Sequence, residues 1–360
     1  MFYLKSILGL CVSGLALVAC SSQNIDEANS GAPDAVVETA PREAGVVNIY
    51  SSRHYDTDLA LYTDFTEQTG IEVNRIEADA NALIERLESE GELSPADLLI
   101  TVDAGVLWRA DQAGLLAPAS SDVLETRIPQ NLRHPEGHWF GLSKRARVII
   151  YNKEAITPEG LDTYSNLADP KYSGQVCIRS SSNIYNLSLM ASIIEREGAQ
   201  AAERWARGVV ANFARDPQSN DTGQIEAVAS GECKLAIVNT YYLARLVASD
   251  DPQRKEIYDA IGIVFPNQDS TGTHVNISGA GVTAHSPNRA NAVMFLEYLT
   301  SPSAQSYFAN GNNEYPITAG TPVGAAAQAL GSFKEDTINV ASFGINQRDA
   351  AAAYDRAGWK

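Results

Sequence analysis

The stretch that decides the fold begins Val46-Val-Asn-Ile-Tyr-Ser-Ser-Arg-His-Tyr-Asp56 and runs on to Val102. In it, apolar runs bounded by turn residues alternate with helical patterns. Strands are predicted at 46–50, 71–76 and 97–102, and helices at 58–68, 80–89 and 106–113. This β-α-β-α-β-α order is typical of a parallel-rich sheet covered by helices.

The alternation restarts beyond a long β run at 138–152, which we predict to carry the chain from one lobe to another. Further strands are predicted at 175–179, 234–238, 261–266 and 275–282, and helices at 185–197, 199–212, 224–230, 243–249, 288–300 and 303–310. The Ala-rich remainder, 324–359, is predicted to be mostly helical.

We therefore expect an α/β protein of two lobes with mixed sheets, joined by a hinge of two crossings. Lobe 1 would comprise 46–143 plus about 275–315, and lobe 2 would comprise 144–274 plus about 316–360. Ligands of open α/β sheets bind outside the carboxyl ends of the strands. The cleft between the lobes is the predicted binding site.

The first 45 residues are predicted to lie outside the fold. Residues 1–20 hold a short apolar run, Ile7 to Ala19, preceded by Lys5 and too short to span a bilayer. The run ends Leu17-Val-Ala-Cys20, which resembles the bacterial lipoprotein cleavage motif, with Cys20 as the lipidated residue. A plain secretion signal is the alternative, and either one exports the protein. Residues 21–45 are rich in Ser, Ala, Pro and acidic residues, which predicts a disordered tether.

Charge and cysteine content limit the protein's class. The chain has 27 Lys and Arg against 44 Asp and Glu, a net charge of −17, which argues against a nucleic-acid partner. Apart from the two cysteines of the first 20 residues, only Cys177 and Cys233 remain. In an exported protein they suggest one disulfide, and two separate buried thiols are the alternative.

Three predicted strand-to-helix turns carry the residues of interest. They read Ser51-Ser-Arg-His-Tyr-Asp56, Ser180-Ser-Ser-Asn-Ile-Tyr-Asn186 and Asn239-Thr-Tyr-Tyr-Leu243. If Asn183 and Thr240 are helix caps, the tyrosines of the last two turns lie at helix N-termini, where partial positive charge favours a phenolate. Each tyrosine could instead simply be packed, and an aromatic sugar-binding cleft would use the same side chains.

Taken together, these turns resemble the signature segments of bacterial ferric-iron-binding proteins of the Fut/Fbp type, the solute receptors of ABC iron importers. The resemblance covers roughly 46–345 and implies a type II periplasmic-binding-protein fold that carries Fe(III) as cargo in its interlobe cleft. It also implies a monomer in the periplasm or cell envelope, served by a permease and an ATPase. The iron ligands that it implies are His54, Tyr55, Tyr185, Tyr241 and Tyr242.

The chemistry of these side chains agrees with the resemblance. Fe(III) is a hard cation and a phenolate oxygen is a hard anionic ligand. Four phenolates and a neutral His54 would leave one negative charge on the bound ion, which Arg53 or Arg145 is expected to balance. Acid should release iron because the tyrosine ligands would be reprotonated.

Other classes of protein are less well supported by the sequence. It has no Gly-x-Ser-x-Gly elbow and no phosphate-binding glycine loop, so we do not expect an enzyme. His134 and His138 are separated by Pro135 and Gly137, and are expected to be ordinary loop residues. A receptor of the same fold for a sugar, polyamine, phosphonate or thiamine, and a structural or adhesive lipoprotein, remain as alternatives.

Overall fold

A computed structural model describes residues 45–53, 55–218 and 220–360. The strands in these ranges are β1 (Val46–Ser51), β2 (Glu72–Glu77), β3 (Leu98–Thr101), β4 (Leu116–Ala117), β5 (Phe140–Asn152), β6 (Val176–Cys177), β7 (Leu235–Asn239), β8 (Ile261–Val264), β9 (Val275–Thr283) and β10 (Tyr315–Pro316). The signal peptide, Cys20 and nearly all of the predicted tether lie outside the described residues.

The strands are interleaved with helices. These are α1 (Asp58–Thr69), α2 (Ala80–Glu90), α3 (Ala104–Gln112), α4 (Asp122–Arg127), α5 (Ile184–Glu197), α6 (Ala199–Ala211), α7 (Asp221–Ala229), α8 (Thr240–Val247), α9 (Pro252–Ala260), α10 (Arg289–Leu299), α11 (Pro302–Gly311), α12 (Ala325–Gln328), α13 (Ser342–Ile345) and α14 (Gln347–Ala357). Short 3-10 turns occur at Gly91–Leu93, Gln130–Leu132, Tyr164–Ala168 and Pro170–Tyr172. Among the described residues, no helix has the length and apolarity that a membrane crossing requires.

Side-chain caps fix where several helices begin. Asp79, Asp103 and Asn183 each accept a backbone N–H from the first turn of the helix that follows, and thereby satisfy a donor that the helix leaves open. At the other end of α1, Gly70 adopts φ 73°, a left-handed conformation that glycine reaches without strain.

The strands form one mixed sheet, in the order β2-β1-β3-β9-β5-β7-β6, with β4 on β9 and β8 and β10 on β5. β1 runs parallel to β2 and β3, and β9 runs antiparallel to β3 and β5. β5 belongs to two parts of the sheet: 140–146 pair with β9, whereas 147–152 pair with β7 and β8. The predicted α/β class with mixed strands is confirmed, and the exact lobe boundaries remain a prediction.

Some predicted elements need correction. The β run at 138–152 is one strand from residue 140, and helices α4 and α9 were not predicted. The segment 324–359 is mostly helical as predicted, with just over half of its residues in α12, α13 and α14, but its middle part, 329–341, is irregular. Tertiary contacts outweigh its local composition: Asp336 N–H donates to the Thr273 carbonyl at 2.9 Å, and the Asp336 carboxylate pairs with Arg196.

The two cysteines of the folded region are joined. Cys177 ends β6, Cys233 precedes β7, and both are buried with their Cα atoms 5.8 Å apart in a disulfide. This confirms the predicted disulfide and removes the alternative of two separate thiols. The bond ties the end of β6 to the segment that enters the neighbouring strand β7.

Candidate metal centre

The structure brings four tyrosines of the three predicted turns together. Tyr185 lies in the first turn of α5, Tyr241 and Tyr242 lie in the first turn of α8, and Tyr55 follows β1. The Tyr241 hydroxyl donates to the Tyr185 hydroxyl over 3.4 Å, and the rings of Tyr241 and Tyr242 are 4.3 Å apart. All four therefore follow the carboxyl ends of strands, where the fold class places ligands. His54 lies outside the described residues.

Arg245 links the tyrosine from β1 to the pair on α8. Its guanidinium carbon is 5.2 Å from the ring centre of Tyr55, 5.1 Å from that of Tyr241 and 5.7 Å from that of Tyr242. Residues three and four apart lie on the same face of a helix, and Arg245 is three residues after Tyr242 and four after Tyr241, so it can contact both. Sequence reasoning overlooked this residue, although that spacing was the available signal.

One of the two predicted caps is wrong. Asn183 caps α5 as expected, but α8 begins at Thr240 itself, with Asn239 as a cap residue that makes no side-chain cap bond. The Thr240 hydroxyl instead accepts the Ala146 backbone N–H at 3.1 Å. Thr240 therefore fastens the start of α8 to β5, and the tyrosines that follow remain in the first helical turn.

A buried group of charges lies beneath Tyr55. Arg53 pairs with Asp58 and Glu314, each at 3.0 Å, and Arg145 pairs with Glu314 at 2.7 Å. The Arg53 guanidinium is 4.7 Å from the Tyr55 ring centre, and the Arg145 guanidinium is 6.0 Å from that of Tyr241. The two arginines proposed from sequence thus lie beside the tyrosines, but two carboxylates that the sequence did not reveal share their charge.

The charge state of Glu314 follows from its neighbours. Burial opposes its ionisation, but Arg53 and Arg145 outweigh burial and lower its pKa to about 2. The Ser143 hydroxyl also donates to the carboxylate at 2.7 Å. Glu314 is therefore an anion at neutral pH and holds both arginines in place.

The tyrosines themselves are not held as phenolates by the protein alone. Burial raises the pKa of Tyr55, Tyr185 and Tyr241 above the ordinary tyrosine value, since a buried phenolate loses its hydration. Nearby arginines lower the pKa of Tyr55 and Tyr185, but not enough to reverse the effect. In the ion-free protein burial thus favours the neutral phenols, and the expected stabilisation of the phenolates by the helix N-termini stays a prediction for the ion-bound site.

Two further arginines contact the Tyr185 ring. Arg147 is 1% exposed, and its guanidinium bonds to the side chains of Asp221, Asn239 and Asn186 at 2.7 to 3.2 Å. Its guanidinium carbon is 5.9 Å from the Tyr185 ring centre, and that of Arg179 is 5.5 Å away. These contacts pack two cations against the Tyr185 ring.

A cleft of about 520 Å³ opens beside two of the tyrosines. Tyr185 and Tyr242 form part of its wall, Arg179 and Arg109 add positive charge, and Asn81 lies at the start of α2. The cleft is large enough for a small ligand, and its cations favour an anionic one.

What the arrangement can do follows from its donor set. Phenols that lose their protons become hard, anionic oxygen ligands, and the surrounding arginines limit the repulsion between them. A small, highly charged cation can displace several phenol protons at once, whereas a soft metal ion prefers thiolate ligands. The two cysteines of the described residues, Cys177 and Cys233, form the disulfide, so neither offers a thiolate ligand.

The fold and this tyrosine cluster define a solute receptor, and comparisons with known proteins agree. The model of the bacterial extracellular solute-binding protein family matches residues 94–336, and the chain belongs to that family. Iron uptake protein A1 of Synechocystis is 52% identical over 328 residues, which are 91% of each chain. The resemblance to ferric-iron-binding proteins is thereby confirmed.

Solved structures show the same relationship. A Trichodesmium protein in complex with iron and citrate ligands is 55% identical, with a TM-score of 0.85 over 88% of this chain and all of the other. The ferric binding protein of Campylobacter jejuni is 41% identical, with a TM-score of 0.83 over 87% of this chain and all of the other. The predicted type II periplasmic-binding-protein fold is confirmed by these neighbours.

Proposed function

We propose that this chain captures Fe(III) through the phenolate oxygens of Tyr55, Tyr185, Tyr241 and Tyr242, with His54 as a nitrogen ligand. The observation that carries the proposal is the convergence of tyrosines from three separate turns, with two hydroxyls 3.4 Å apart. Packing alone gives no reason to place two phenol oxygens against each other under an arginine. Similar proteins whose names or structures specify iron support the choice of cargo.

The charges around the cluster suit a trivalent ion. Four phenolates exceed the charge of Fe(III) by one negative unit. The positive charges near the tyrosines are those of Arg53, Arg145, Arg147, Arg179 and Arg245, and the negative ones are those of Asp58, Asp221 and Glu314. The surroundings are therefore net positive, which offsets the excess negative charge of the phenolates.

The cleft beside Tyr185 and Tyr242 suggests how the coordination sphere is completed. The Trichodesmium structure contains citrate together with iron. In this chain, Arg109 and Arg179 line a cavity of about 520 Å³ next to the same tyrosines. We infer that a small carboxylate can enter there and contribute oxygen ligands to the ion.

Delivery and location belong to the same proposal. The receptor would pass Fe(III) to an ABC permease driven by its ATPase, and would work as a monomer in the periplasm or cell envelope. A lipid on Cys20 would tether it to the membrane through residues 21–45. Ligands from both lobes would draw the cleft shut around the ion, as in other two-lobed receptors.

Metal analysis and ferric titration of the purified protein test the proposal. Fe(III) supplied as a weak chelate should bind in one equivalent and produce a visible phenolate-to-iron absorption band. The double variant Tyr241→Phe/Tyr242→Phe keeps both rings and removes two oxygens, so colour and affinity should be lost together. Tyr258→Phe on α9 is the matched control, because Tyr258 belongs to none of the three turns.

Full retention of colour and affinity in the double variant would refute the tyrosine assignment. Tight binding of a sugar, polyamine or thiamine by metal-free protein, without any ferric binding, would instead support the alternative of an organic solute receptor.

A further inference from the structure

A second cluster of metal-binding side chains lies in the turn between Arg133 and Phe140. Arg133 pairs with Phe140 across the turn, the His134 N–H donates to the Trp139 carbonyl at 2.9 Å, and the Gly137 N–H donates to the His134 carbonyl at 3.1 Å. This tight turn makes His134 and His138 neighbours although no helix is present. Their ring centres are 4.8 Å apart.

Asp111 on α3 holds both rings from one side. One of its carboxylate oxygens contacts Nδ1 of His138, and the other lies 3.5 Å from Nε2 of His134. A carboxylate only accepts hydrogen bonds, so the ring nitrogens that face it carry protons. In neutral rings the lone pairs then lie on Nδ1 of His134 and Nε2 of His138. The Glu136 backbone N–H donates to Nδ1 of His134 at 3.1 Å, as this assignment requires.

Glu136 supplies a carboxylate to the same place. One ligand atom from each of His134, Glu136 and His138 can be chosen so that all three lie within 4.8 Å of one another. The two rings are mostly buried, with side chains 14% and 23% exposed, whereas Glu136 is exposed and free to move. Rotation of the exposed Glu136 side chain, with a small adjustment of the turn that frees Nδ1 of His134, would bring all three onto one ion.

We propose that His134, Glu136 and His138 form a binding site for a divalent transition-metal ion such as Zn²⁺, with Asp111 as the residue that orients both imidazoles. Two imidazoles and a carboxylate are a ligand set typical of Zn²⁺ and of Cu²⁺ or Ni²⁺, and a water molecule would complete the coordination. A carboxylate behind a ligating histidine is the usual outer support of such sites. The ion would replace the backbone N–H that now contacts Nδ1 of His134.

This site is independent of the proposed iron centre. None of its four residues lines the cleft beside the tyrosines. Its nitrogen donors also select a different class of ion, since Fe(III) prefers the anionic oxygens of the cluster described above. Binding here would fasten the turn to α3 on the protein's surface and leave the tyrosines unchanged.

Calorimetric titration of the untagged, metal-free protein with ZnCl₂ tests the proposal, because a histidine tag would itself bind zinc. We expect one equivalent to bind, and at least tenfold weaker binding in His138→Gln, whose amide can still donate to Asp111. Asp111→Asn should weaken binding by about 10- to 100-fold. His285→Gln, which alters an exposed histidine elsewhere, should leave Zn²⁺ binding unchanged.

Two further measurements separate this site from the tyrosines and from misfolding. Tyr241→Phe/Tyr242→Phe should keep Zn²⁺ binding intact, and each histidine-site variant should keep ferric binding. With Cu²⁺ as the probe, electron paramagnetic resonance of the unaltered protein should show coupling to two imidazole nitrogens. Zn²⁺ binding that is absent, or that is unchanged in His138→Gln, would overturn the proposal, and so would a Cu²⁺ signal without nitrogen coupling.

Discussion

Iron binding by this protein should depend steeply on pH, because the phenols that would bind the ion are protonated without it. Burial raises the pKa of Tyr55, Tyr185 and Tyr241, so at neutral pH each of them must lose a proton when Fe(III) binds. Tyr242 is the fourth phenol of the proposed set. Binding should therefore release at least three protons and at most four from tyrosine.

The magnitude follows from proton linkage. The pKa values are raised, so the protonated, non-binding form dominates throughout the neutral range and affinity increases as pH rises. Each displaced proton changes the binding constant about tenfold per pH unit, or roughly 1.4 kcal/mol. Three protons give about a thousandfold per pH unit, roughly 4 kcal/mol, after correction for the pH dependence of the competing chelator.

Calorimetry counts these protons directly. Ferric loading is measured in two buffers of different ionisation enthalpy at one pH, and the difference in heat gives the number of protons released. Tyr241→Phe should release one proton fewer than the unaltered protein, and Tyr258→Phe should release the same number. A count below three in the unaltered protein, or an unchanged count in Tyr241→Phe, would refute the reasoning.

Three other perturbations have defined outcomes. Arg245→Gln should weaken ferric binding about tenfold, roughly 1.4 kcal/mol, because a cation 5.1 to 5.7 Å from the centres of three rings is lost. Competition with a chelator measures the change in ferric affinity. The control Arg254→Gln, on the exposed face of α9, should leave ferric affinity unchanged. Glu314→Gln should lower the free energy of unfolding by about 3–5 kcal/mol, since buried Arg145 loses its carboxylate partner and buried Arg53 keeps only Asp58. In the unaltered protein the depressed pKa of Glu314 means that this stabilisation is complete above about pH 4.3 and is lost as pH falls through about 2, which acid unfolding of both proteins would show. Replacing Cys177 and Cys233 together by Ala should lower the free energy of unfolding by at most about 4 kcal/mol, given a sequence separation of 56 residues. Urea unfolding measures this change, and an unchanged midpoint would contradict the prediction.

Much of the fold could be predicted because hydrophobic periodicity is a local property of the sequence. The strands and helices between Val46 and Val102 lie within a few residues of their predicted places. Within the mostly helical segment after 324, the irregular stretch 329–341 could not be predicted, because contacts with Thr273 and Arg196, distant in sequence, determine its conformation. The amino-acid composition of a segment does not indicate contacts with residues distant in sequence.

The candidate site shows the same division. The tyrosines could be proposed because they occupy turns after strands and match a family's segments. Glu314 could not, because a single carboxylate in an extended segment gives no sign that it will pair with Arg53 and Arg145. His134 and His138 lie in a turn, as Pro135 and Gly137 predict, but the sequence gives no sign that this turn brings the two rings together.

The central claim is that tyrosine phenolates bind the ferric ion directly, and resonance Raman spectroscopy of the iron-loaded protein tests it most directly. Excitation within the visible absorption band should enhance tyrosinate ring vibrations, and these should shift when the protein is made with ring-deuterated tyrosine. Iron-loaded protein that lacks such vibrations, or whose enhanced vibrations keep the same frequencies after ring deuteration, would contradict the account.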